Sequence, residues 1–299
     1  MMPKQSFLTA WIILCASAIQ YTSAFQNCFD VCRLSGKAMS LDVHFIGGKK
    51  GVYLHSIPIK VLEGPAGPRT PRPQYRDGWA DRLFLAVFRA RLVRAMGVED
   101  AAAPGYDGLM ELIAGLNNEN RDKKYVQDVA RQTLVSLFPS WLPPAFSALF
   151  SKNLPEFSCR MNAWVTLRTC GWLMGPDMEL TDVETGDGGV APQQGLLVKR
   201  CRFLEEAGCA SICVNTCKIP TQTFFKEDMG LDLLMEPNYE DFSCQFSFGK
   251  SPPLPEKDEA FSIGCLAQCP HRGSRGGAEY KQTVRCHRID LLEPEDVKM

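Results

Sequence analysis

The sequence predicts an α+β protein, mainly a helical bundle with a small antiparallel β-hairpin or sheet in a cysteine-rich C-terminal part. Apolar residues recur at helical spacing through 79–96, 123–138 and 141–150. "LDLLMEPNYEDFSCQFSFG" (231–249) then changes to a period of two around a turn signal at Pro237–Asn238. Of the 13 cysteines, eight lie between 201 and 286. Hydrophobic residues at 45% and charged residues at 22% suit a globular chain of 299 residues. The formal net charge of −1 gives no basis for nucleic-acid binding.

The chain begins with a targeting pattern. Lys4, the apolar run "FLTAWIILCASA" and polar residues ending at Ala24 predict a secretory signal peptide over 1–24. Residues 25–76 carry eight Lys/Arg against three Asp/Glu and cluster Pro58, Pro65, Pro68, Pro71 and Pro73. That composition predicts an unfolded, transit-peptide-like segment. With Phe25 opening it, the pair resembles the two-part leader of algae with red-derived plastids. A secreted protein with a basic N-terminus is the alternative. The compartment decides the cysteine chemistry, because disulfides persist in secreted proteins and thiols in a reducing stroma.

The helical region is expected over 77–185. In "WADRLFLAVFRARLVRAM" (79–96), Leu83, Phe84, Val87 and Phe88 predict the buried stripe, with Arg82, Arg89 and Arg94 elsewhere around the helix. Asp107 is the expected cap of a second helix. "KKYVQDVARQTLVSLF" (123–138) places its stripe at 126, 129, 130, 133, 134, 137 and 138, apolar except for Thr133. Pro143 and Pro144 suit the start of an aromatic helix through Phe150. Trp164 and Trp172 mark another aromatic segment. These stripes read as core, or as a lipid-facing surface or apolar substrate groove. "GDGGVAPQQG" (186–195) reads as a loop, and "LLVKRCRF" as a strand entering the cysteine-rich part (196–270). Pro220 is expected to end or kink the next helix. Alternation at 242–248 puts Cys244 on a buried face. Residues 271–299 read as a mobile tail with a dispensable Cys286.

Cys209, Cys213 and Cys217 are spaced four apart. On one helix, neighbours rise about 6 Å and the outer pair about 12 Å, whereas sulfurs on one zinc lie within about 4 Å of each other. One site therefore needs two of these thiolates, or a bend, with ligands from elsewhere. Cys244, Cys265 and Cys269 are the candidates, giving Cys209, Cys213, Cys217, Cys244, Cys265 and Cys269 as the expected metal-ligating set. A disulfide framework and plain core packing stay open as alternatives. No C-x-x-C occurs, and the Walker, G-x-G-x-x-G, H-E-x-x-H and G-x-S-x-G motifs are absent.

"KRCRFLEEAGCASICVNTCKIPTQTFF", "GLDLLMEPNYEDFSCQFSFGKSPP" and "CLAQC" closely resemble the plastid β-carotene isomerases that open the strigolactone pathway. The resemblance covers roughly 75–269, strongest at 199–253. The glycine-rich insert near 186–195, Cys286 and the tail depart from it. It implies isomerisation of all-trans-β-carotene to the 9-cis form, dependence on iron, mononuclear or as an iron–sulfur cluster, and residence in plastids. Cys201, Cys209, Cys213, Cys217, Cys244, Cys265 and Cys269 are then the matching thiols, some of them ligands. The expected partner is an apolar carotenoid, with peripheral contact to a plastid membrane and none to nucleic acid. A non-catalytic iron–sulfur protein and a secreted disulfide-rich binding protein are the competing functions.

Overall fold

The computed structural model describes residues 67–269 except 69, 119 and 187, together with 286, 288 and 289. The signal peptide, most of the transit-like segment and most of the tail lie outside the described residues. The fold is α+β, mainly helical, with one four-stranded antiparallel sheet among the described residues.

Helix α1 (Trp79–Met96) ends at Gly97, whose φ of 67° closes it in the left-handed region. Its core face is Leu85, Arg89, Leu92 and Met96, not the stripe expected from the sequence. Leu83, Phe84 and Val87 are exposed, and Phe88 packs on Trp172 with centroids 5.3 Å apart. The helix is apolar on two faces, so periodicity alone does not choose between them. Arg89 is tolerated inside because it meets Asp100 at 2.7 Å and the carbonyls of Ala101, Ala103 and Gly105 at 2.9, 3.0 and 3.0 Å. It thereby ties α1 to the turn before α2 (Gly105–Leu116). Pro104, not Asp107, precedes that helix, and Asp107 sits in its first turn.

Helix α3 (Lys123–Ser136) follows its predicted stripe. Val126, Val129, Ala130 and Thr133 are buried, and the Asp122 carboxylate accepts from the Tyr125 N–H. Helix α4 (142–151) starts at its prolines and finishes as a π turn over Ser147–Ser151. Phe146, Phe224 and Met229 form a small second core, with Phe138 and Phe150 at its edge. Helix α5 (Pro155–Thr169) packs on the sheet, and α6 (Gly171–Met174) carries the buried Trp172 and Met174.

The sheet order is β1-β2-β4-β3, all antiparallel, with β1 (Met178–Glu184), β2 (Val190–Val198), β3 (Leu233–Pro237) and β4 (Cys244–Phe248). The 186–195 loop expected from composition is corrected: β2 already begins at Val190, paired with Glu184. Its first residues are largely exposed and a register shift interrupts the pairing at Thr181/Val183, so no alternation marks the strand. The 231–249 hairpin forms as expected, and Cys244 sits between Val198 and Pro237 on a buried face.

Gly195 lies under a side-chain bridge in which Gln245 Nε2 donates to Thr181 Oγ1 at 2.9 Å. An added Cβ would stand 2.2 Å from that hydroxyl and 2.8 Å from the amide. Gly195→Ala should therefore break the bridge and lower stability by about 1–2 kcal/mol in denaturant titration. An unchanged midpoint would show that the strands absorb the methyl.

The cysteine-rich part holds α7 (Arg202–Ala207) and the rod α8 (210–228). The rod runs through Ala210–Ile212, a π turn at Cys213–Lys218, an α turn at Ile219–Thr223 and a second π turn at Phe224–Asp228. The helix continues to Asp228 and does not end at Pro220. The π turn just before it shifts the bonding to i→i+5 and widens the helix, so the proline's missing donor and bulky ring are accommodated.

Candidate thiol-lined site

Cys201 precedes α7 and its N–H donates to Phe242 O at 2.7 Å, which places it at the end of the central β2–β4 pair, near Cys244. Cys213 and Cys217 come from the first π turn. These four cysteines line one small cavity with Met174, Phe203, Leu204, Met235, Pro237 and Phe246. Its volume is about 10 Å³, room for one water-sized atom. Lys218 is the charged residue in its wall.

Lys218 is 0% exposed. Its ammonium pairs with Asp258 at 2.7 Å and donates to the Met235 carbonyl. A buried ammonium needs such partners, and Asp258 is itself fixed by the Ala260 N–H at 3.0 Å. The Tyr239 hydroxyl, with no nitrogen or oxygen partner, lies against the Cys213 sulfur.

Burial dominates the acidity of these thiols. It pushes Cys201 up to about 11 and Cys213 up to about 12. Cys217 and Cys244 are raised well above the ordinary thiol range, by burial first and then by neighbouring sulfurs. The Lys218 charge works the other way on Cys213 and Cys244. The cavity is thus a neutral, apolar cluster of four thiols beside one buried cation.

The expected ligand set divides into two groups. Cys213, Cys217 and Cys244 join Cys201 at the cavity. Cys209 is not in the helix with Cys213 and Cys217 but precedes it with extended backbone, φ −142°. Its thiol bonds instead to Cys269 and, at 3.2 Å, to the Ser211 hydroxyl. Cys269 also bonds Cys265, and Cys265 bonds Cys286. The Cys269 hydrogen bond lowers the Cys265 thiol, but Cys286 and burial outweigh it and the net is a rise to about 11. The Cys265 hydrogen bond draws Cys286 down. Contrary to expectation, Cys286 is buried, at 3% exposure. No disulfide joins the ten described cysteines. Among the described residues, no three His, Cys, Asp or Glu side chains already stand in a metal-holding arrangement.

Lys218 and Tyr239 have no place in the sequence-based site, Cys286 is set aside there as a dispensable tail residue, and Cys201 enters through the resemblance. A signal for Lys218 was present: it falls four residues after the buried Val214, in line with the apolar face of the rod. Glu205 and Glu206 lie outside the cavity lining and are held by arginines. Arg200 grips Glu205 at 2.6 and 3.0 Å, and Arg72 holds Glu206 at 2.7 Å. Arg202 lies between the rings of Tyr75 and Tyr106 at 4.6 and 3.7 Å and pairs with Asp77 at 2.7 Å. Residues 70–77 are thereby fastened across α7.

Residues 172–257 match the family model "Beta-carotene isomerase D27-like, C-terminal". All four cavity cysteines and Lys218 fall inside that segment, whereas Cys265, Cys269 and Cys286 fall outside it. The chain is 29% identical over 197 residues to a Medicago truncatula protein named "Beta-carotene isomerase D27, chloroplastic", covering 65% of this chain and 75% of the relative. An Arabidopsis thaliana protein of the same name is 28% identical over 210 residues, covering 69% and 76%. No solved structure gives a significant match. The cavity-bearing segment is thus the part of the chain that is similar to the D27-like C-terminal family model, and the similarity to the two plant proteins extends over about two thirds of the chain.

Proposed function

We propose that the chain is a plastid carotenoid cis–trans isomerase, converting all-trans-β-carotene or a related carotenoid to its 9-cis form. The observation that carries this reading is the convergence of Cys201, Cys213, Cys217 and Cys244 on one apolar cavity inside the segment shared with the D27-like proteins. Carotene has no ionisable or hydrogen-bonding group, so its recognition rests on apolar burial at about 25 cal/mol per Å². A cavity of about 10 Å³ does not hold a long polyene. The substrate must reach the sulfurs by displacing wall residues, and the unbranched Met174 and Met235 are the most adaptable of these.

Iron is the cofactor that this reading assigns to the cavity. The donor chemistry fits: four thiols face a space for one atom, and a buried ammonium offsets part of the charge of thiolates. When bound, iron would supply a reversible electron transfer that lowers the order of the conjugated bond. Cys201, Cys213, Cys217 and Cys244 would hold it, and Tyr239 would orient Cys213. The apolar walls keep water from the reacting chain. Isomerisation returns every electron, so no nicotinamide or flavin is required.

Trp141, Leu149, Leu154, Phe157 and Trp164 are exposed along α4 and α5. The Arg168 guanidinium lies over the Trp164 ring at 5.7 Å. Aromatic and aliphatic groups beside a cation suit the interface of a membrane, from which a carotenoid would be drawn. No helix among the described residues is long and apolar enough to cross one.

The test is conversion of all-trans-β-carotene by anaerobically purified, iron-replete protein, with geometric isomers resolved by chromatography. Enrichment of the 9-cis form above a protein-free control is expected. Bound iron with no isomer shift across several carotenoids would favour the non-catalytic iron–sulfur reading instead.

A further inference from the structure

The second sulfur group takes no part in lining the cavity, and its four members differ in access. Cys209, Cys269 and Cys286 are buried at 2, 8 and 3% exposure, while Cys265 is half-buried. The hydrogen bonds sort them into neighbours: Cys209 with Cys269, and Cys265 with both Cys269 and Cys286. The Cys286 N–H donates to Ile263 O at 2.7 Å, which fixes residue 286 beside the segment carrying Cys265. The Arg288 N–H points at the Cys286 sulfur.

The three described tail residues form a buried strap. Ile289 is 2% exposed. The Arg288 guanidinium donates to the carbonyls of Asn117, Asn118 and Arg121 at 3.3, 2.7 and 3.4 Å. The Arg288 carbonyl accepts from Asn215 Nδ2 at 2.9 Å, and Asn215 Oδ1 accepts from Gln127 at 3.1 Å. Asn215 sits in the π turn between Cys213 and Cys217. The strap is therefore one anchor of the turn that presents two cavity thiols, beside Gln127 on Asn215 and the Lys218–Asp258 pair.

We propose that Cys265 and Cys286 are a dithiol–disulfide modification site, oxidised by exchange with an external disulfide, that fastens this strap and so braces the π turn. The external disulfide enters at Cys265, the least buried of the four cysteines. Cys265 attacks one sulfur of it, the external S–S bond breaks, and one thiol leaves. Cys286 then attacks the Cys265 sulfur, the mixed S–S bond breaks, and the second thiol leaves. Two protein thiols are oxidised by two electrons, the external disulfide is reduced by the same two, and the thiol protons pass to the leaving groups. Cys269 is the competing resolving thiol, but its sulfur is shared with Cys209. Cys286 has Cys265 as its hydrogen-bonded thiol partner and an N–H to steady it.

The experiment treats the full chain with mixtures of oxidised and reduced glutathione and maps cysteines by peptide mass spectrometry. The wild type should gain a Cys265–Cys286 cross-link with no lasting glutathione adduct. Cys286→Ser should trap glutathione on Cys265, and Cys265→Ser should leave Cys209, Cys269 and Cys286 unmodified. Amide exchange in 213–218 should slow in the oxidised wild type and not in Cys265→Ser, a readout independent of isomerase activity. The proposal is overturned by a cross-link to Cys269, by a stable adduct on the wild type, or by a co-purifying metal ion that shields all four thiols from exchange.

Discussion

Lys218→Met is expected to destabilise the protein by about 3–5 kcal/mol, because it leaves Asp258 buried without its counter-ion and removes the donor to Met235 O. For a folded unit of this size, that corresponds to a drop in Tm of roughly 10 °C. The double variant Lys218→Met, Asp258→Leu removes both charges and should recover most of the loss, since an uncompensated ion costs more than an absent pair. A single variant as stable as the wild type would show that the pair is dispensable. A double variant no better than the single would show that the cost is packing around the lysine stem. The double variant should still lose iron affinity, because the cation that offsets charge on Cys213 and Cys244 is gone.

Cys244→Ser is expected to remove iron and isomerisation together, with activity down by more than about 100-fold. Serine keeps the side-chain volume nearly unchanged, and β4 keeps its register between Val198 and Pro237. The far-ultraviolet circular dichroism should therefore match the wild type. Cys170→Ser is the control: it lies outside the cavity lining, and a change of at most about 1 kcal/mol with full activity is expected. Retained activity in Cys244→Ser with normal iron would remove the cavity from the account.

Particular residues show how much of this was legible in sequence. The stripe of α3 was readable because its other face meets solvent, and the alternation that buries Cys244 was readable because apolar residues alternate with polar ones in β4, although Ser247 is buried as well. The core face of α1 was not, because Leu83, Phe84 and Val87 mimic a buried stripe while an arginine occupies the real one. The first half of β2 is exposed and bulged, so it reads as loop. The cysteines misled in a specific way. Equal spacing groups Cys209 with Cys213 and Cys217, yet the backbone at Cys209 is extended and its thiol turns to Cys269. Pro220 signals a break only if the turn before it is α-helical, and here that turn is π. Cys286 carried no signal, because its partner at Ile263 is brought to it by tertiary packing alone.

Iron content per chain across eight single Cys→Ser variants, each purified anaerobically in parallel, decides which sulfurs hold the metal. Iron should fall in the variants of Cys201, Cys213, Cys217 and Cys244, and stay at the wild-type level in those of Cys209, Cys265, Cys269 and Cys286. Iron that survives every change in the first four, or is lost only with the second four, would contradict the assignment of the metal to the cavity.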